Sequence, residues 1–420
     1  MTIYLQCVEC AKKHRRDEAA YTCPGCGGNL KVLYDYDEIR LRFNRETLAA
    51  SRDFSMWRYR ALLPVEPASF APPLAVGWTP LYDCARLAAT FGLRQLWLKD
   101  EGRNPTASLK DRPSALAVVK ALETGARVVT TASSGNAGSA LAGMCASVGL
   151  RAVVFVPADT PPAKLVQMQV YGATVLTVEG SYDEAYDLCL AAGRRFGWYQ
   201  RSTGYNPYMA EGKKTAALEV VEQMSWAVPD KVFVSVGDGC IIGGLWKGFD
   251  ELHRLGFVDK RPQMFGVQAE TAAVVVDALQ SGKVEPQAGA ATVADSICVG
   301  QPRDATNALR AMRESGGDGI KVSDEEIIVS VGRLARATGV FAEPAAAAAF
   351  AGFVKLCESG LVKSDERVLV MLTGNGLKSV EPLRRALGEP LRVKPDLDEV
   401  ARRLAAAAPE TLAAESRHIS

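Results

Sequence analysis

The chain comprises 420 residues, 48% hydrophobic and 23% charged, and its 49 Lys+Arg against 48 Asp+Glu leave a formal net charge of +1. A chain of this size buries a sizeable core without disulfide staples. The charge balance excludes a generally basic nucleic-acid binder, and no apolar run reaches the roughly eighteen residues of a membrane span, so neither nucleic acid nor membrane is expected as a partner.

The first twenty residues carry Cys7, Cys10 and the charged run Lys12–Arg16 instead of an apolar signal core, which points to a soluble, cytoplasmic protein. Of the ten cysteines, four form two C-x-x-C knuckles, Cys7-Val8-Glu9-Cys10 and Cys23-Pro24-Gly25-Cys26. Each tight turn aims two thiolates at one tetrahedral ion, so Cys7, Cys10, Cys23 and Cys26 are expected to bind zinc. Four thiolates close the coordination sphere, which makes that zinc structural. Disulfides or free thiols are the alternative, and disulfides are uncommon in cytosolic chains. The remaining six cysteines lie in apolar surroundings and read as small buried hydrophobes.

Residues 1–34 form the zinc-ribbon-like unit, and 35–80 a linker or N-terminal arm with prolines at 64, 67, 72, 73 and 80. A body follows over 81–390. Strand-length apolar runs at 96–99, 127–131, 152–157, 175–178, 231–236, 263–268 and 367–373 alternate with helix-patterned segments such as Asp111–Thr124, Asn136–Val148 and Glu211–Met224. The alternation indicates an α/β fold whose largely parallel sheet is covered on both faces. Residues 391–420 read as a surface helix and tail.

Four strand ends run into glycine- or serine-rich turns. Lys110 stands at a helix mouth in Asn104-Pro-Thr-Ala-Ser-Leu-Lys110-Asp-Arg112, in the crevice where open α/β sheets take ligands. A solvated surface lysine is the plain alternative. Ser133-Ser134-Gly-Asn136 offers hydroxyls and N–H groups suited to a carboxylate, or simply an N-cap. Gly237-Asp-Gly239-Cys240-Ile241 offers successive N–H groups suited to a phosphate. It matches neither the mononucleotide nor the dinucleotide glycine fingerprint. Thr373-Gly-Asn-Gly-Leu-Lys378 ends another apolar strand. Four such loops imply one composite pocket.

The order and wording of these segments resemble the threonine synthase branch of the fold-type-II, tryptophan-synthase-β-like pyridoxal-phosphate enzymes. The family's N-P-T-G-S-F-K-D-R is written Asn104–Arg112, its S-[ST]-G-N as Ser133–Asn136, its phosphate loop as Gly237–Ile241 and its T-G-H-G-L-K as Thr373–Lys378. Asn206–Thr215 and Phe341–Ala345 extend the likeness, which covers roughly 75–385. The resemblance implies two open, mostly parallel-sheet domains, the smaller one mobile and spanning about 115–215, and a homodimer. It implies that Lys110 bonds pyridoxal phosphate and then shuttles protons. Asn136 would meet the ring 3′-oxygen, and the amides of Gly237, Asp238, Gly239, Cys240 and Ile241 the phosphate. Thr373 would face the ring nitrogen, and Ser133 and Ser134 the substrate carboxylate. The implied chemistry is β/γ-elimination or replacement on an amino acid, O-phosphohomoserine to threonine being the first candidate.

The sequence also departs from the family. Met209 stands where the branch writes the arginine of N-P-x-R-L-E-G-Q-K-T, which grips the substrate phosphate. Losing such a donor is not neutral, and Arg103, Arg112, Arg201 and Lys213 are the candidate replacements. Ala137 gives the S-G-N-A-G wording of serine and threonine dehydratases, so an ammonia-lyase or β-replacement enzyme is the alternative. A non-catalytic binding relative is the second class. Ala107 and Leu109 replace the usual glycine and phenylalanine beside the lysine.

Overall fold

In a computed structural model, which describes residues 3–18, 21–133, 135–158, 160, 162–387 and 389–407, the N-terminal unit is a three-stranded antiparallel sheet. Strand β1 (Ile3–Cys7) lies between β2 (Lys13–Arg15) and β3 (Leu30–Tyr34). Its Ile3, Leu5 and Cys7 point inward, the alternation of a half-buried strand. The segment from 35 to 80 is an arm packed into the core, with Ile39, Met56, Trp57, Tyr59 and Leu62 buried.

Ten further strands follow in chain order: β4 (Leu81–Asp83), β5 (Gln95–Asp100), β6 (Val128–Ala132), β7 (Arg151–Pro157), β8 (Thr174–Val178), β9 (Tyr199–Gln200), β10 (Lys231–Ser235), β11 (Gln263–Ala269), β12 (Gly319–Val322) and β13 (Arg367–Leu372). They form a six-stranded sheet, β12-β11-β10-β13-β5-β4, and a four-stranded sheet, β8-β7-β6-β9. Every pairing is parallel except that of β4 with β5. β10 and β13 are buried along almost their whole length, as continuous apolar strands covered by helices must be. The chain is therefore α/β with two open sheets.

The short strands β4, β9 and β12 carry too little apolar signal to stand out in the sequence. The helix expected from Glu211 begins at Tyr208, because Asn206 Oδ1 accepts the Tyr208 N–H at 2.9 Å and Pro207 is pre-set for a helix start. Residues 380–420 form a separate unit, whose described part includes the helix Leu397–Ala407; the tail from 408 lies outside the described residues. Among the described residues no helix is long and apolar enough to cross a membrane.

This topology decides where chemistry can occur. β10, β13 and β5 are neighbours and parallel, so the turns after Ser235, Leu372 and Asp100 open on one sheet edge. The turn after β6 comes from the middle of the other sheet.

Candidate active site

The loop from β5 to the helix Asp111–Glu123 is fixed by its own polar side chains. Asp111 accepts the Thr106 N–H at 2.6 Å and also the Thr106 hydroxyl. Asn104 donates to Glu101 Oε2 at 2.8 Å and accepts the Gly77 N–H at 3.0 Å. The Leu109 N–H reaches Thr373 O at 2.9 Å, and the Asn375 N–H reaches Ala107 O at 3.1 Å, tying the loop to the end of β13. Lys110, caught between these anchors, occupies the N-cap and lines a cavity of about 130 Å³. Burial, with repulsion from Lys213 and Arg201, pushes its ammonium down to about 8, against the pull of Glu343 and Asp238. A buried amine that sheds its proton near neutrality is a nucleophile and a base.

The other three turns complete the cavity. Ser133, Asn136, the loop from Gly237 to Ile242 and Thr373 all line it. The Ser133 N–H is spent on Phe155 O and its hydroxyl oxygen accepts from Gly135 at 3.2 Å, which leaves the hydroxyl proton uncommitted among the described residues. Ser134 lies outside the described residues. Asn136 donates to Glu343 Oε1 at 2.6 Å, while Asn136 Oδ1 and Glu343 Oε2 are buried without a partner among the described residues. Burial raises the Glu343 carboxyl. Glu343 is a site residue that sequence reasoning missed: its segment was visible, but its carboxylate became a pocket wall only through the bond of its N–H to Gly374 O at 3.1 Å.

The turn after β10 is shaped for an anion. Among the described residues, none of the N–H groups of Gly237, Asp238, Gly239, Cys240 or Ile241 has an acceptor, and Cys240 opens the helix Cys240–Arg254. Free amides at a helix N-terminus attract negative charge. Gly239 has φ +98, and a Cβ there would lie 2.6 Å from Asp304 O, so only glycine fits. Asp238, awkward beside an anion, turns its Oδ1 to the Arg303 N–H at 3.2 Å.

The four candidate cations divide. Arg112 is not available to a ligand, which corrects its candidacy: its guanidinium pairs bidentately with Glu101 at 2.7 Å and reaches Glu219 Oε2 at 2.8 Å and Thr215 Oγ1 at 3.1 Å. Arg103 is exposed and outside the cavity lining. Lys213 lines the cavity, is fully buried, and its Nζ has no hydrogen-bond partner among the described residues. Arg201, equally buried but outside the cavity lining, binds Ser114 Oγ and Thr203 Oγ1 and leaves Nη2 without a partner among the described residues. Burial lowers Arg201 to about 10, against the pull of Cys240, Tyr182, Asp238 and Asp111. Met209 lies instead on the wall of a second cavity, of about 570 Å³.

The cysteine knuckles form a separate centre. The sulfurs of Cys7, Cys10, Cys23 and Cys26 all lie within 4.8 Å of one another. Cys7 and Cys26 are 3.5 Å apart, and Cys10 and Cys23 are 3.8 Å apart. Tetrahedral zinc with bonds of about 2.3 Å requires sulfur edges of about 3.8 Å, so the donor set fits in number, type and spacing. All four cysteines are free thiols, as a metal site needs. His14 Nε2 sits 3.3 Å from Cys23 Sγ, placed to hydrogen-bond a ligand sulfur.

The chain has recognisable relatives among known proteins. The family model described as pyridoxal-phosphate dependent enzyme matches residues 73–374. A threonine synthase of Methanocaldococcus jannaschii is 39% identical over 400 residues, covering 94% of this chain and 98% of its own. One from Methanosarcina acetivorans is also 39% identical, over 94% and 97%. Among solved structures, diaminopropionate ammonia lyase from Escherichia coli superposes with a TM-score of 0.66 at 18% identity, over 92% of this chain and 98% of that one. Threonine deaminase isoform 2 from Solanum lycopersicum gives 0.64 at 20%, over 85% and 95%. At those identities the structures speak for the fold alone.

Proposed function

The chain belongs to the pyridoxal-phosphate-dependent enzymes, in the threonine synthase-like branch of fold type II, which carry out elimination and replacement on amino acids, and we propose that it converts O-phosphohomoserine and water to threonine and phosphate. The observation that carries this reading is Lys213, a buried lysine in the cavity wall whose Nζ has no hydrogen-bond partner among the described residues, in the same cavity as a loop of free amides. A pocket with two separate sets of anion donors suits two phosphates, one on the cofactor and one on the substrate.

Pyridoxal phosphate, when bound, supplies the electron sink that makes the substrate Cα proton acidic. Lys110 holds the cofactor, and its Nζ removes and returns protons at the substrate carbons. The amides of Gly237 to Ile241 hold the cofactor phosphate. Asn136, whose side-chain N–H goes to Glu343 in this structure, would be the donor to the cofactor's ring oxygen, and Thr373 would offer the ring nitrogen a hydroxyl in place of a carboxylate. The hydroxyls of Ser133 and Ser134 orient the substrate carboxylate. Lys213 stands in for the arginine missing at Met209 and neutralises phosphate as it leaves. The sheet containing β6, with its helices, serves as the smaller, mobile domain, and two copies of the chain assemble as a cytoplasmic homodimer. Cys7, Cys10, Cys23 and Cys26 hold a structural zinc, whose sulfur spacing is the support.

The second reading is a dehydratase-like ammonia lyase, favoured by Ala137 after Asn136 and by Met209. One substrate panel separates the two: O-phosphohomoserine, serine and threonine, assayed for phosphate, threonine, 2-oxoacid and ammonia. Release of phosphate with equimolar threonine is expected. Ammonia and 2-oxoacid from serine or threonine, with O-phosphohomoserine inert, would establish the second reading instead.

A further inference from the structure

The ribbon and the phosphate-binding turn are far apart in sequence but meet through one short loop. Asn29 stands three residues beyond Cys26, next to β3. Its backbone closes the ribbon: the Val8 N–H donates to Asn29 O at 2.9 Å, beside the bond from the Cys23 N–H to Gly28 O at 2.9 Å. Its side chain leaves the ribbon. Nδ2 donates to Arg303 O at 2.7 Å and lies 3.5 Å from Asp304 Oδ1.

Residues 303 and 304 in turn clamp the 237–241 loop. The Arg303 N–H binds Asp238 Oδ1 at 3.2 Å, and the Asp304 N–H binds Asp238 O at 2.9 Å. The missing side chain of Gly239 is what lets Asp304 O approach. A parallel set of bonds follows the first knuckle: Glu9, between Cys7 and Cys10, accepts the Thr306 hydroxyl at 2.9 Å, and Arg310 reaches Val8 O at 3.5 Å. The first knuckle and the residue that follows the second therefore both bond to residues 303–310, the segment that clamps the loop of free amides.

We propose that Asn29 is a positioning residue for the 237–241 loop, and that metal held by the cysteine knuckles fixes Asn29, so that metal loading of the ribbon sets the affinity for the cofactor phosphate. The inference rests on the assignment of that loop to the cofactor phosphate and of the knuckles to zinc. The physical reason is order. A ribbon of some thirty residues has too small a core to hold its shape alone, and the metal supplies the missing rigidity. Without it, Asn29 fluctuates, the 303–304 turn loses its brace, and aligning the loop amides costs entropy at the moment of binding.

The test is a titration of pyridoxal phosphate into zinc-loaded, chelator-stripped and zinc-restored protein, and into zinc-loaded Asn29→Ala and Arg15→Ala, following the visible absorption of the lysine-bound cofactor. Zinc content and thermal midpoint are measured on each sample. Loss of one hydrogen bond within the brace is expected to weaken cofactor binding about tenfold in Asn29→Ala, with zinc retained and kcat at saturating cofactor unchanged. Stripped protein should weaken at least as much and recover with zinc. Arg15→Ala, on the exposed β2 edge, should bind as the unaltered protein does. Equal affinities throughout overturn the proposal, as does a weakening of Asn29→Ala that only tracks lost zinc or a lowered thermal midpoint. Should stripped protein unfold, the zinc-loaded Asn29→Ala comparison decides alone. A zinc-loaded, unaltered protein that gives no Lys110-dependent absorption would instead sink the cofactor-loop assignment, a result distinct from equal affinities.

Discussion

Lys110 is tuned by its neighbours, and the same neighbours make its proposed role testable. Because burial and the facing cations lower the ammonium to about 8, capture of pyridoxal phosphate by apo-protein should accelerate as pH rises from 6 to 9, with its midpoint near 8 and not near the 10.5 of a free lysine. Replacing Lys213 by glutamine removes one repelling charge, so that midpoint should move upward. The same variant tests the phosphate reading: kcat/KM for O-phosphohomoserine should fall by roughly 10- to 100-fold, the worth of one charge-assisted bond. A shift in cofactor affinity with the substrate KM untouched would place Lys213 on the cofactor instead. Ala107 carries a different strain. Its φ is +68, the left-handed region, where the family writes glycine. Relief of the Cβ clash outweighs the added chain entropy of glycine, so Ala107→Gly should stabilise the protein by about 0.5–1 kcal/mol in urea denaturation without loss of cofactor binding.

At the scale of elements, the motif around Lys110 is a holding device, and Arg112 shows it. Its guanidinium ties the first turn of one helix to Glu101 after β5 and to Glu219 on the helix Tyr208–Gln223. Truncation to Arg112→Ala should cost about 3–5 kcal/mol, since it removes the cation shared by two buried carboxylates, leaving Glu219 to Lys99 and Glu101 to the neutral donors Thr79 and Asn104. Isothermal unfolding in urea measures that directly. The contrast with Lys213 marks what was legible in the sequence. Strand ends followed by small-residue turns announce the four loops, because apolar continuity and glycine are local signals. Neither Arg112 nor Lys213 differs locally from any helical cation. Which one is spent on carboxylates and which stays free depends on tertiary packing, Arg112 meeting Glu219 across 107 positions as well as Glu101 across 11, and spacing does not encode that. Glu343 is hidden for the same reason: only the apposition of its segment to Gly374 turns a helix-start glutamate into the partner of Asn136. The short strands β4, β9 and β12 escape notice because their hydrogen bonds, not their side chains, define them.

At the scale of the whole molecule, one charge network joins the parts that must stay in register. Lys99 on β5, Glu101, Arg112 and Glu219 are all fully buried, and Thr79 of the arm donates its hydroxyl to Glu101 and its N–H to Glu219. Burial alone would raise the Glu219 carboxyl, but Arg112 and Lys99 outweigh it and hold it well below the usual carboxylate range. The folded pKa is therefore depressed relative to the unfolded chain. The stability it contributes is present in full above the unfolded value and is lost as pH falls toward the folded one. Unfolding free energy measured between pH 7 and pH 3 should drop across the ordinary carboxylate range and below it. In Glu219→Gln that acid limb should flatten. The same variant should already be destabilised at pH 7, because Lys99 and much of the Arg112 fork lose their counter-charge inside the core. An unchanged acid limb in Glu219→Gln would mean that other carboxylates govern acid unfolding, and that the network joins the arm, β5 and the two helices by packing rather than by charge.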